Sequence, residues 1–378
     1  MKLKITAILL LILIFGNIGY SLPRAKVGNG GLVTYSPSGP TAALQYVLLQ
    51  PNNITAYFWS SGVFNQNLNL QNAAGFYWPK GSTNTACFTA GLCVAGYINT
   101  ETGYRMGQVM ASYKGEYTPG TIVTKTNINT SPDFKMYNVK SSDNVYNNPD
   151  VQNWGKMVPY GAPFVDVNNN GVYDAGIDVP GQKNAAQTLF LAMTDAVVAN
   201  HNSGEGFGGG VNDPLMYADV RWTCWAYTSP GLEDLQFVKW VVINKNDSAW
   251  TRTYFSVVVD PDLGYGYDDY IGCDTSLNMG FCYNGTDNDQ YYGAHPPAFG
   301  MDYFRGPVNH LTNDTLGLTS FTFFTNNGSS PPPCESDPNG EPYPAYLNMT
   351  GVKKDSTPFL DPTITSGSKK TKFCYPGD

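Results

Sequence analysis

YFSVVVDPDLGYGYDDYIGCDTSLNMGFCYNGTDND, residues Tyr254 to Asp289, decides how this chain is read. Phe255, Val257 and Val259 share one face by the two-residue period of a strand, so the stretch begins as a strand with an inside. Directly behind it come Asp260, Asp262, Asp268, Asp269 and Asp274, then Asp287 and Asp289, and neither Lys nor Arg occurs from Asp260 through Asp302. Carboxylates at this density repel one another unless they are solvated or share a cation. Asp260, Asp262, Asp268, Asp269 and Asp274 are therefore candidate calcium ligands, with a solvated acidic loop as the plainer alternative.

Outward from this stretch the pattern stays β. Strands are expected over Ile54 to Trp59, Ala86 to Ile98, Tyr104 to Tyr113, Phe134 to Val139, Thr188 to Val198, Met216 to Tyr227, Leu235 to Ile243, Thr253 to Val259 and Leu318 to Thr325, with Pro-Gly turns between several of them. From Met216 to Tyr227 apolar residues alternate with Asp219, Arg221 and Thr223, which predicts one buried and one wetter face. Leu235 to Ile243 follows after Ser229-Pro230-Gly231 and should pair with it as an antiparallel hairpin. The expected class is all-β, an antiparallel β-sandwich built as one large or two packed sandwich domains with long loops.

The N-terminus reads Lys2, Lys4, an apolar run from Ile5 to Phe15, and small residues at Gly19 and Ser21. That is a signal peptide pattern, and the run is too short to span a bilayer, which takes about 20 residues. The chain then divides into residues 1–21 as signal peptide, 22–53 as a loosely ordered leader, 54–165 as a β-rich region and 166–180 as a calcium-type loop. A β-sandwich region follows over 181–325 with its acidic loop at 260–289, then a Pro/Gly-rich linker and C-terminal segment over 326–378.

A net charge of -8 with a pI near 4.9 excludes nucleic acid as a natural partner and favours cations. Seven cysteines in an exported chain point to an oxidising compartment. Cys273 and Cys282 flank a tight turn and are the expected disulfide, whereas Cys87 and Cys93 could bond only if Gly91 broke their strand. Cys224 reads as a small buried hydrophobe.

The sharpest local motif is FVDVNNNGVYDAGIDVP, Phe164 to Pro180. Asp166, Asn168 and Asn170 hold positions one, three and five of a calcium loop, and Gly171 supplies the turn at six. Val172 offers a carbonyl at seven, Asp174 stands at nine, and Asp178 follows one residue after the usual closing acid. Flanking helices are not expected, so the loop is of the helix-free extracellular kind; an Asx-rich turn without metal is the alternative. His201, His295 and His310 are scattered and read as surface or turn residues. Gly204 to Gly209 matches a dinucleotide pattern by letters, without the helix that gives it meaning.

FYWPKGSTNTACFTAGLCVAGY, ASYKGEYTPG, VPYGAPFVDVNNNGVYDAGIDVPG and DPDLGYGYDDYIGCDTSLNMGFCYN, in that order from residue 76, resemble segments of large exported proteins of Bacteroidetes-type bacteria. Many of those end in a β-rich sorting domain that directs them through type IX secretion, and this chain has no such end. The resemblance implies export and a non-catalytic role, and it carries over no catalytic residues. The expected function is a secreted or cell-surface calcium-binding structural or adhesive protein, with surface glycans or other cell-surface proteins as partners and no transmembrane segment. A glycan-binding module or glycan-directed hydrolase is the alternative. The odd cysteine count, the strand-and-turn signal just before Asp378 and the absent sorting end give the further expectation that the chain is the N-terminal part of a longer protein.

Overall fold

The computed structural model describes residues 4–12, 44–70, 73–100, 103–109, 111–112, 114–201, 215–309, 311–325, 332–338, 341–361, 363–364 and 369–377. Thirteen strands of it are used below: β1 (Lys4–Ile12), β2 (Tyr46–Leu49), β3 (Thr55–Trp59), β4 (Thr89–Thr100), β5 (Gly103–Val109), β6 (Tyr137–Lys140), β7 (Gln187–Thr194), β8 (Ala218–Ala226), β9 (Gln236–Asn244), β10 (Trp250–Asp260), β11 (Asp269–Asp274), β12 (Met279–Asn284) and β13 (Ala298–Arg305). One large sheet runs Thr118–Pro119, β7, β8, β9, β1, β13, β12, β11, with β6 also on β7. The other runs β5, β4, Val63–Phe64, β3, Phe76–Tyr77, Thr85–Cys87, with β2 on β3 and β10 on β4. The ladders between these strands are antiparallel, as expected for the sandwich class.

The two sheets share one core. Phe58 and Phe64 from one stack at 5.5 Å, and across the interface Phe58 lies 5.6 Å from Trp222 and Phe64 lies 6.0 Å from Trp240, ring centre to ring centre. All four rings are almost wholly buried, and offset or tilted aromatic contacts of this kind add to the area they bury. The expected hairpin is present, β8 pairing with β9 from Ala218↔Asn244 to Trp225↔Phe237. The wetter face expected of β8 is not. All nine residues of the strand are buried, because the segment from Thr118 to Tyr160 covers the second face. Asp219 accepts hydrogen bonds from Thr121 Oγ1 (2.5 Å) and the Ile122 amide (2.9 Å), and the Arg221 guanidinium sits 5.0 Å from the centre of the Tyr160 ring. Polar residues therefore alternate here because they have partners inside, not because they face water.

That covering layer has its own apolar cluster of Phe134, Tyr137, Val151, Trp154, Met157 and Phe190, with the short helix α1 (Pro149–Asn153) in it. On the outer face of the other sheet a second helix, α2 (Pro342–Met349), packs Ala345, Tyr346 and Met349 against Cys93, Ala95 and Val258. This helix falls within the segment 326–378 expected as a Pro/Gly-rich linker and C-terminal segment. Here the two prolines at the first and third helical positions start the helix, where a missing N–H costs little. Leu318 to Thr325 is not a strand. Its extended backbone touches others only at isolated bridges, Phe321↔Phe373 and Thr325↔Ser336. No helix among the described residues is long and apolar enough to cross a membrane.

Candidate metal loop and acidic hairpin

Phe164–Val165 pairs with Val179–Pro180, so the segment between them leaves and returns as one closed excursion. Its base is tied to the covering layer: Trp154 Nε1 donates to the Pro163 carbonyl (2.8 Å), Tyr173 Oη donates to the Val151 carbonyl (2.7 Å), and the Phe164 and Tyr173 rings meet edge to face at 5.6 Å. Within the excursion the chain folds on its own side chains. Asp166 accepts from the amides of Asn170 (3.2 Å) and Gly171 (2.7 Å), and Asn170 Oδ1 accepts from the Val172 amide (2.8 Å). Asn169 and Gly171 take left-handed backbone, φ 57° and 79°, which asparagine and glycine tolerate best.

These turns bring the side chains of Asn168 and Asn170 onto Asp174, while Asp166 holds the backbone of Asn170 and Gly171. Asp174 Oδ2 accepts from the side-chain amides of Asn168 (2.8 Å) and Asn170 (2.7 Å), which holds its carboxyl below the ordinary range. Val172 is exposed, as a residue offering only its carbonyl can be. Asp178 is buried and braces the loop from beneath, Oδ1 accepting from the Val167 amide (2.8 Å) and Oδ2 from the Asp174 amide (2.7 Å). Asp178→Ala leaves both amides without that acceptor. The expected cost is about 1–3 kcal/mol, measured by urea unfolding in chelator so that no metal contributes.

Among the described residues no three His, Cys, Asp or Glu side chains are grouped as a metal site. The loop's donors are instead two or three carboxylates with amide and carbonyl oxygens, the hard oxygen set that calcium takes. No family model matches the chain, and no curated protein or solved structure matches it either.

The acidic stretch is a hairpin, β11 on β12 from Asp269↔Asn284 to Asp274↔Met279. Asp274 stands at its turn, where Oδ1 accepts from the amides of Ser276 (2.8 Å) and Leu277 (3.0 Å). It is thus at the opposite end of β11 from Asp269. Asp260 ends β10 opposite Thr89, and its carbonyl accepts from the Phe88 amide (2.8 Å). Asp269 is buried; its Oδ2 accepts from the Leu263 amide (2.7 Å) and its Oδ1 has no hydrogen-bond partner. Burial, reinforced by Asp262, Asp268 and Asp289, pushes its pKa up to about 9. Asp289, also buried, accepts from the amides of Tyr265 (2.9 Å), Tyr291 (2.8 Å) and Tyr292 (2.6 Å). The structure therefore gathers Asp262, Asp268, Asp269 and Asp289 into one electrostatic neighbourhood and leaves Asp274 out of it.

Two other readings need correction. All seven cysteines are free thiols. Cys273 faces Gly280 and Cys282 faces Ile271, so the expected pair is offset by one diagonal step; Cys273 Sγ lies 3.4 Å from the carbonyl of Cys374 instead. Cys87 and Cys93 stay apart because Gly91 lies inside the unbroken β4. Cys224 is buried as expected. His201 is not at the surface. It is 1% exposed, with Nε2 2.6 Å from the Asp195 carbonyl and Nδ1 3.7 Å from Glu116, and burial pushes its pKa down to about 4. His295 is exposed. His310 and Gly204 to Gly209 lie outside the described residues.

Proposed function

We propose that this is an exported structural or adhesive protein of the cell surface or extracellular space, non-catalytic, and stabilised by calcium at the loop from Asp166 to Asp178. The observation behind this reading is a loop folded on its own oxygen-bearing side chains, Asp166 accepting the amides of Asn170 and Gly171 and the Asp174 carboxylate accepting side-chain amide protons from Asn168 and Asn170. Rotation of either amide about its Cβ–Cγ bond replaces nitrogen with oxygen there, and a cation then takes the place of the two protons. A ligand bound only to the folded state at 100 times its dissociation constant adds about 2.7 kcal/mol. Millimolar calcium is therefore expected to raise the melting temperature by several degrees over chelator, and Asp166→Ala to remove most of that rise. Identical melting curves with calcium and with chelator, after complete metal removal, would overturn the reading.

A second reading is favoured by a specific patch. The Tyr265 and Tyr267 rings stack at 4.9 Å, with the exposed Tyr291 ring 6.2 Å from Tyr265, beside Asp262 and Asp268. Adjacent aromatic faces with carboxylates at their rim suit a sugar ring, which makes a glycan the partner to try first. A glycan array decides it: specific binding lost in Tyr291→Ala supports the module, and an empty array removes it.

A further inference from the structure

Among the described residues, β1 is the one strand that joins the two halves of the larger sheet. It pairs antiparallel with β9 from Lys4↔Ile243 to Leu11↔Gln236, and on its other side with β13 at Ile8↔Arg305, Leu10↔Asp302, Leu11↔Met301 and Ile12↔Gly300. Because both neighbours run antiparallel to β1, β9 and β13 run parallel to one another, and neither pairs with the other. Yet β1 lies in the apolar run that reads as a signal peptide. Its removal on export leaves two facing rows of unpaired backbone N–H and C=O groups, an arrangement that invites pairing with another chain.

The floor of the gap is apolar. Val238, Trp240 and Val242 of β9 and Phe299 and Met301 of β13 are buried, and Trp240, Phe299, Met301 and Tyr303 border a partly open cavity of about 440 Å³. Among the described residues every other strand of eight or more residues is committed to a ladder of its own. We infer that the processed chain presents a slot between β9 and β13 that takes an apolar β-strand of eight or nine residues from a second protein chain. The second chain inserts antiparallel to both edges, as a donated strand does when it completes a sheet. The leader's own composition, KITAILLLI, states the chemistry required: unbranched by proline, uncharged after its first residue, and long enough to cover the β9 edge.

This inference rests on the export reading, and two measurements keep the two apart. The intact mass of the protein recovered from the exported fraction tells whether residues 1–21 are gone; a retained leader defeats the export reading and leaves the slot closed. With the leader shown to be absent, the probe is a synthetic peptide of residues 4–12 with lysines added at its end for solubility. Expected are one-to-one binding, a melting temperature higher by several degrees, and at least tenfold slower hydrogen exchange at β9 and β13 amides. The same peptide carrying Ile8→Pro should not bind, since proline removes a donor from the ladder. A processed protein that binds neither peptide, and whose β9 and β13 amides are protected without one, overturns the inference: its gap is closed or filled from its own chain.

Discussion

Replacing Asp195 with alanine is expected to destabilise the protein by about 3–6 kcal/mol. The side chain is fully buried, and its two oxygens accept the backbone amides of Met216 (2.6 Å), Tyr217 (3.1 Å) and Ala218 (2.6 Å), the residues through which the chain enters β8. Tyr217 is held there with φ 55°, a backbone that a bulky residue avoids unless its surroundings fix it. Alanine leaves three buried amides without acceptors, each worth about 1–3 kcal/mol, and releases the strained residue at the start of a central strand. Urea unfolding followed by tryptophan fluorescence measures the change. Asp195→Asn, which keeps one acceptor oxygen, should cost clearly less than alanine. Equal losses for the two variants would mean that hydrogen bonding at this point is not what holds β8.

A second large effect should appear in the pH dependence. Asp269 has its folded pKa pushed up to about 9, mainly by burial, so between the ordinary carboxylate pKa and 9 the unfolded chain gives up a proton that the folded chain keeps. Stability supplied by this group is present at low pH and is lost as pH rises, at about 1.4 kcal/mol per pH unit. Asp302, raised to about 6, and Asp195, raised to about 7, act in the same direction; Asp302 has largely titrated by neutral pH, and Asp195, still titrating there, is common to wild type and variant and cancels in their difference. His201, lowered to about 4, acts in the opposite direction, and only below about 6.5. Between pH 7 and 8 the difference between wild type and Asp269→Asn therefore isolates Asp269. Asparagine can still accept from Leu263 through its amide oxygen, and it turns a donor toward the neighbouring carboxylates. The variant should be the more stable protein at pH 8 and should lack the downward slope. Parallel pH profiles for the two proteins would show that Asp269 is ionised when folded, with a counter-charge to hold it.

What the sequence discloses depends on whether the cause is local. The hairpin of β8 and β9 was legible because period-two alternation and a Pro-Gly turn act within neighbouring residues. The loop from Asp166 to Asp174 was legible as a self-folded turn for the same reason, since Asp166, Asn168, Asn170 and Asp174 organise their own backbone. The second buried face of β8 was not legible, because the cover comes from Thr118 to Tyr160, about sixty residues or more earlier in the chain, and nothing near Asp219 or Arg221 announces it. Asp195 escaped notice and His201 was read as a surface or turn residue for the same reason: each owes its place to burial and to partners distant in sequence. The acidic hairpin misled in one respect. Asp260 to Asp289 looks uniform as text, yet pairing register sends Asp274 to a turn and Asp269 to the interior. Register also separated Cys273 from Cys282, which the tight turn alone had suggested as a pair. Gly91, which leaves β4 unbroken, is there because a Cβ would stand 1.5 Å from the carbonyl oxygen of Ala111, a close backbone approach that no single strand pattern encodes.

The pairing of Lys4 with Ile243 and of Ile12 with Gly300 also sets a clock. A strand made first in synthesis has partners made more than two hundred residues later, and closing so long a loop is slow compared with forming local hairpins. At about 5–20 residues per second, β13 emerges on the order of 15 to 60 seconds after β1. Throughout that interval the leader is a free apolar tail, available to whatever recognises such tails, while β8 and β9 can already be paired. Once β13 arrives, the same segment is paired along both of its edges in mid-sheet. Sequence separation alone thus orders the two states of one segment, open early and paired late.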